Sequence, residues 1–237
     1  TGWYEGEQYD ERRYARLISN GREHHEFQIT PFDFVRYLDD MLASVEPPVA
    51  GPGMFGQWMV AKHVAELGIR TVLSGEGGDE LFGGYARLMI VARHECPEGY
   101  ENYVLPADYP RDLEAALAYD YDRLPELLRA DEQVTGAHGL EAIAPMLDPV
   151  VVDYALSLPP RRRVAKHELR GAMRGLLPDA ILDRKDKRGF PVPYVQWAQG
   201  PLRDFIGDRI GYVPDPGRPW DRGWWEDLCY GVLAPAA

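Results

Sequence analysis

Apolar residues recur at helical spacing from Phe34 through Leu38, Met41 and Leu42 to Val45. Just ahead of them, Thr30-Pro31-Phe32-Asp33 offers a side-chain cap, a proline at the first helical position and a carboxylate three residues on, so a helix running to about Val45 is expected. Upstream, Tyr14, Leu17 and Ile18 share one face of a helix over Asp10 to Ser19, and Asn20-Gly21 suits a left-handed helix end. Gly2-Trp3-Tyr4 reads as the end of a strand and His25 to Ile29 as a short extended segment. Pro47, Pro48, Gly51, Pro52 and Gly53 mark a loop, after which Val60, Val64 and Leu67 form a second apolar stripe closed by Gly68. Ile69 to Leu73 is β-branched and apolar and runs directly into Ser74-Gly75-Glu76-Gly77-Gly78-Asp79-Glu80. Helix, glycine turn and apolar strand in that order predict a parallel crossover unit.

Beyond Tyr85 the period is helical nearly everywhere, with Arg111–Tyr119, Pro149–Leu158, Lys166–Leu177, Val195–Ile210 and Arg222–Leu233 as segments between proline-rich joints. The expected fold class is therefore α/β: an α/β sheet region over residues 1–90, then a mostly helical region over 91–237. Trp220, Trp224, Trp225, Leu228 and Val232 recur at helical spacing and read as core. The run Arg161-Arg162-Arg163, with Lys166 and Arg170, reads as a solvated helix face; a local anion surface formed with Arg184, Lys185, Lys187 and Arg188 is the alternative.

In open parallel sheets a ligand sits beyond the carboxyl ends of the strands, where glycines let backbone amides approach a phosphate. The turn after Leu73 interleaves five glycines between Gly75 and Gly84 with Glu76, Asp79 and Glu80. Carboxylates repel a bare phosphate, so their presence implies an intervening cation such as Mg²⁺, which takes one or two protein carboxylates beside phosphate oxygens and water. Asp79 is the candidate metal ligand. On spacing alone, a sharp turn with solvent-facing acids accounts for the same residues.

Composition narrows the field. The 26 Lys and Arg against 38 Asp and Glu give a net charge of −12 over 237 residues, a poor match for nucleic acid or an anionic membrane surface. No run approaches the ~18 apolar residues of a membrane span. Two cysteines, Cys96 and Cys229, are too few for a disulfide framework or a zinc site, and a reducing cytoplasmic setting is the expectation.

The twelve residues from Ser74 to Tyr85, Ser-Gly-Glu-Gly-Gly-Asp-Glu-Leu-Phe-Gly-Gly-Tyr, closely resemble the signature of the asparagine synthetase family in its ATP-dependent synthetase domain. Glu141-Ala142 and Pro145-Met146-Leu147-Asp148 resemble the family's helical motif, continued by Lys166, Leu169-Arg170, Arg184, Lys187, Gly189-Phe190, Pro193 and Trp197. The resemblance implies a sheet of the adenine-nucleotide alpha-hydrolase (ATP pyrophosphatase) type. It also implies a two-step reaction in which ATP adenylates the side-chain carboxylate of aspartate and ammonia then displaces AMP. Carried onto this chain, Glu76 would orient the amine or take its proton, and Lys187 would offset charge on the phosphoryl or tetrahedral centre. Ser74, Gly75 and Gly77 would meet the nucleotide, and Asp79 would hold Mg²⁺ on the pyrophosphate. Relatives that close β-lactam rings carry Tyr where Glu76 stands.

Three departures temper that implication. The family's pyrophosphate loop, Ser-Gly-Gly-x-Asp-Ser, does not occur in the chain, which begins at Thr1, and neither does a glutaminase segment. Losing one preorganised donor costs ~3–4 kcal/mol of transition-state stabilisation, and two such losses slow a reaction about 10⁴-fold or more, so these residues alone are expected to be nearly inactive. An upstream segment or a second polypeptide is expected to complete the sheet and the loop, and self-association is another way to cover a bare strand edge. Finally, Ile143 stands where the family has Arg after Glu-Ala, and Glu132 follows Asp131 where the family has another Arg. Three readings remain open: an asparagine-synthetase-like ligase, an amide-forming relative acting on a peptide or other carboxylate, and a non-catalytic binding module of the same fold.

Overall fold

A computed structural model describes residues 1–46, 51–92, 100, 103–186, 192–212, 225 and 227–229. The elements are β1 (Gly2–Trp3), α1 (Arg12–Ser19), β2 (Phe27–Gln28), α2 (Pro31–Ser44), α3 (Gly53–Glu66), β3 (Thr71–Leu73), α4 (Gly78–Leu81), α5 (Ala86–Val91), α6 (Leu113–Asp122), α7 (Leu124–Gly136), β4 (Glu141–Ile143), α8 (Pro149–Ser157), α9 (Pro160–Arg163), α10 (His167–Ala172), α11 (Asp179–Leu182), α12 (Tyr194–Gln199) and α13 (Arg203–Ile210). The chain is thus mixed α/β. It divides into two compact units: Thr1–Arg70 with Ala130–Glu141 and Phe190–Ala237, and Thr71–Arg129 with Ala142–Gly189.

In the first unit, α2 starts with the capping box that Thr30 and Asp33 foretell: Thr30 Oγ1 accepts from the Asp33 amide at 3.2 Å, and Asp33 Oδ2 accepts from the Thr30 amide at 2.9 Å. Phe34, Leu38, Met41 and Leu42 are buried along one stripe. Phe34 is the hub, with ring centroids 4.9 Å from Phe55 and 5.2 Å from Tyr194, both edge-on. Tyr194 donates its hydroxyl to the Pro52 carbonyl at 2.8 Å, and its complete burial pushes the phenol pKa well above the usual value. Trp225 and Leu228 are buried as expected, while Trp220, Trp224 and Val232 lie outside the described residues.

Helix α3 corrects the expected stripe. Its buried residues are Met54, Phe55, Gly56, Trp58, Met59 and Ala61, whereas Val60 is only half-buried and Leu67 is exposed. The helix starts at Gly53, seven residues before Val60, so the face that packs is set by a turn that the proline- and glycine-rich composition disguises as loop. Two further boundaries shift. Lys166–Leu177 is helical only over His167–Ala172, and Val195–Ile210 breaks into α12 and α13 around Gly200 and Pro201.

Among the described residues the strands form two separate two-stranded sheets, β1 with β2 and β3 with β4. Gly2 pairs with Phe27 and Trp3 with Gln28, in parallel. In the second sheet the Glu141 amide donates to the Arg70 carbonyl at 2.8 Å and the Ser74 amide to the Ile143 carbonyl at 2.7 Å, bonds that advance in the same direction along both strands. β4 corrects the reading of Glu141 to Ile143 as part of a helical stretch. Gly139, at φ +68°, turns the chain out of α7, and a three-residue strand is too short to leave a period-two signal.

In the second unit, buried Asp120 on α6 accepts from Arg87 Nε at 2.8 Å and from the Tyr109 hydroxyl at 2.8 Å. The Arg87 guanidinium also lies 4.0 Å from the centre of the Tyr85 ring. Removing one member of a buried ion pair strands the other, so Asp120→Ala should cost about 3–5 kcal/mol, seen as a lowered urea midpoint with an unchanged slope.

Candidate functional site

Strand β3 delivers the chain into the glycine turn, and α4 and α5 carry it away. Ser74 starts the turn, and its Oγ accepts from the Glu76 amide at 3.3 Å. Gly75 is exposed and Glu76 half-buried. Gly77 takes a left-handed conformation, φ +85°, and the space a Cβ would fill there is taken by the Leu147 side chain. Ser74, Gly75, Glu76, Gly77 and Asp79 are therefore contiguous at the carboxyl end of a parallel strand, as expected. Lys187, with Gly189 and Phe190, lies outside the described residues.

The one-turn helix α4 holds Asp79. Its last carbonyls, and those just after it, have no helix to continue into. The segment 163–166 supplies their donors. Arg163 Nη2 donates to the Glu80 carbonyl at 3.3 Å and Nε to the Leu81 carbonyl at 2.8 Å. The Lys166 amide donates to the Phe82 carbonyl and the Ala165 amide to the Gly83 carbonyl, each at 2.8 Å. At Gly83, φ +57°, a Cβ would stand 2.8 Å from the Val164 Cα, so the two backbones touch directly. The arginine run is thereby corrected. Arg161 and Arg162 are exposed, Arg162 bonding Glu168 at 2.7 Å, but Arg163 is buried at 7% exposure because the α4 carbonyls need its fork of donors.

Ala165 and Lys166 are both left-handed, with φ of +59° and +57°, a strained arrangement for two consecutive residues with side chains. It turns the Lys166 side chain back onto the turn, where Nζ pairs with Asp79 Oδ1 at 2.8 Å. Gly84 leaves the room, since a Cβ there would overlap the Asp79 carboxylate and the Lys166 side chain. Glu80, buried, accepts from the Tyr85 hydroxyl, and desolvation first, then that bond, raise the Tyr85 pKa far above its usual range.

Next to this pair opens a cavity of about 140 Å³ whose lining includes Gly84, Lys166, Arg170, Arg184, Lys185 and Asp186. Arg170 Nη1 donates to the Arg184 carbonyl at 3.0 Å, and Arg184 grips Asp186 with bonds of 2.6 and 2.8 Å. Four cations against the carboxylates of Asp186 and neighbouring Asp79 leave a positive excess that suits an anion. Among the described residues no three His, Cys, Asp or Glu side chains come together to hold a metal by themselves. Asp79 offers a single carboxylate, which fits a divalent ion brought in on phosphate oxygens and does not fit an ion held by protein alone.

A family model described as asparagine synthase matches residues 1–118 and 107–216. The chain belongs to the asparagine synthase family. Proteins named "Asparagine synthetase [glutamine-hydrolyzing]" from Asparagus officinalis and Brassica oleracea are 32% and 30% identical to it over 197 residues, 81% of this chain and 30% of each relative. One from Sandersonia aurantiaca is 31% identical over 205 residues, 84% of this chain and 35% of its own length. The chain thus spans about a third of the length of the relatives it matches. Among the described residues, no helix is long and apolar enough to cross a membrane. What motif reading of this chain misses is Arg163 and the left-handed Ala165–Lys166 step. Neither has a composition signal, since the partners are backbone carbonyls some eighty residues away.

Gly84→Ala should cost about 1–3 kcal/mol in urea unfolding, by overpacking. In an Asp79→Ala/Lys166→Ala background the same change should cost less than half as much, because the groups the methyl meets are gone.

Proposed function

We propose that the chain is the synthetase part of an asparagine-synthetase-like ligase, forming an amide from a carboxylate at the expense of ATP. Family membership supports the reaction class. The observation that carries the reading is the placement of the Ser74–Tyr85 turn at the end of β3, with Asp79 beside a cavity lined by Lys166, Arg170, Arg184 and Lys185. We read residues 1–237 as one domain of the adenine-nucleotide alpha-hydrolase type.

In this reading ATP enters with Mg²⁺ on its phosphates, and the backbone of Ser74, Gly75 and Gly77 meets the nucleotide. Asp79 would hold a divalent ion accompanying the phosphates, which would neutralise their charge, and the neighbouring cations draw in the phosphate charge. The acceptor carboxylate attacks the α-phosphorus and pyrophosphate leaves, giving an acyl-adenylate. Ammonia then attacks the acyl carbon, AMP departs with the bonding electrons, and Glu76 accepts a proton from the incoming nitrogen. Lys187 balances the charge on the phosphoryl oxygens or the tetrahedral centre. No Ser-Gly-Gly-x-Asp-Ser segment occurs within the 237 residues, so phosphate donors from outside them complete the site.

One observation favours a second acceptor. β4 sets Ile143 alongside β3, its carbonyl bonded to the Ser74 amide and its side chain 44% exposed. An apolar group at this edge of the site suits an acceptor other than free aspartate, such as a peptide carboxylate.

Exchange of labelled pyrophosphate into ATP, measured with the chain alone and supplied with a segment carrying the phosphate loop, should depend on aspartate. Dependence only on another acid assigns the acceptor to the second reading, and no exchange under either condition ends the enzymatic one. Glu76→Gln should leave exchange within about threefold and lower amide formation by about 100-fold or more. Equal loss of both would remove Glu76 from the second step.

A further inference from the structure

We infer that Arg163 is a positioning residue for Asp79, acting through the backbone of α4. The inference rests on the reading of Asp79 as the residue that receives the metal on the nucleotide.

A single turn of helix does not hold its own shape, because nucleation fixes several backbone angles for very few internal bonds. α4 has four residues, and the Leu81 amide bonds back to the Gly77 carbonyl at 2.9 Å. The Gly84 amide returns to the Asp79 carbonyl at 2.9 Å, and the remaining carbonyls are met from outside. The carbonyls of Glu80, Leu81, Phe82 and Gly83 are four in succession, and every one is met from residues 163–166. Arg163 takes the first two, with two nitrogens of one rigid plane, and this fixes the rotation of α4 about its axis. That rotation sets where the Asp79 carboxylate points.

The strained step at Ala165 and Lys166 belongs to the same device. Left-handed backbone at two successive residues with side chains is unfavourable on its own. Here it lets both amides face the Phe82 and Gly83 carbonyls while the Lys166 side chain returns to Asp79 at 2.8 Å. Asp79 is therefore constrained twice by one short segment, through the carbonyls of the residues that follow it and through its own carboxylate. Arg163 is not the residue of the run that composition would choose: it is the buried one, and its bonds are to main-chain oxygens within two residues of Asp79.

Two readouts on Arg163→Met test this. The first needs no ligand: hydrogen exchange at the Ala165, Lys166 and Gly84 amides should speed up about tenfold or more relative to the Ala116 and Val152 amides in α6 and α8. Uniform acceleration across all five would mean general destabilisation and would overturn the inference. The second is MgATP affinity by calorimetry, expected to weaken by about tenfold, in line with loss of a residue that supports a metal ligand. In an Asp79→Asn background the same substitution should then change affinity by less than about twofold. An undiminished effect there would show that Arg163 does not act through Asp79. If Arg163→Met fails to fold, Arg163→Lys, which keeps a cation but loses the fork, carries the same two readouts. Failure of the unmodified chain to bind MgATP in the presence of the phosphate-loop segment would count against the function proposed above, while the exchange pattern still decides whether the brace exists.

Discussion

Backbone carbonyls at the end of a one-turn helix must find donors, and that requirement organises the second unit. Within the turn from Ser74 to Gly84, amides bond back from Gly78 to Gly75, from Leu81 to Gly77 and from Gly84 to Asp79, and these leave the carbonyls of residues 80–83 unmet. Arg163 and the amides of Ala165 and Lys166 complete it by meeting those four consecutive carbonyls. The glycines make the approach possible: Gly83 lets one backbone rest on another, and Gly84 leaves room for Asp79 and Lys166 to meet. Left-handed strain at two residues is offset by three kinds of gain, namely paired carbonyls, a buried Val164 and an ion pair.

Electrostatics of the site run against those of the whole chain. A net charge of −12 suggests an anion-repelling surface, yet the cavity beside Asp79 is lined by Lys166, Arg170, Arg184 and Lys185. Arg170 is committed to main-chain oxygens and Arg184 grips Asp186, which fixes both positive groups in place before any ligand arrives. Fixed cations of this kind lose little entropy when an anion binds. Net charge governs how such a protein meets macromolecules; the local arrangement governs what it holds.

Legibility in the sequence followed the range of the interaction. The capping box at Thr30 and Asp33, the buried stripe from Phe34 to Leu42, the left-handed Asn20 and the glycine turn after β3 are all written in residues within one or two turns of each other. The face of α3 is hidden in the sequence because Met54, Phe55 and Trp58 lie next to the Gly51–Gly53 cluster, where proline and glycine signal a loop. β4 was missed for its length, and with it the position of Ile143 beside Ser74. Arg163 looked like its exposed neighbours because nothing local distinguishes an arginine that bonds water from one that bonds a distant main chain. Lys187 was named from its motif and lies outside the described residues.

The bond from Arg163 to the Leu81 carbonyl joins residues 82 positions apart. Closing a loop of that length must precede any benefit from the contact, so the bond is gained only once the intervening chain has been brought together. During synthesis the whole of Ser74 to Tyr85 emerges long before its brace. A nascent chain or a fragment ending before residue 163 would carry every letter of the family signature without the donors that meet the carbonyls of residues 80–83. The motif is contiguous in sequence, but the object it names is completed only by the segment around residue 165.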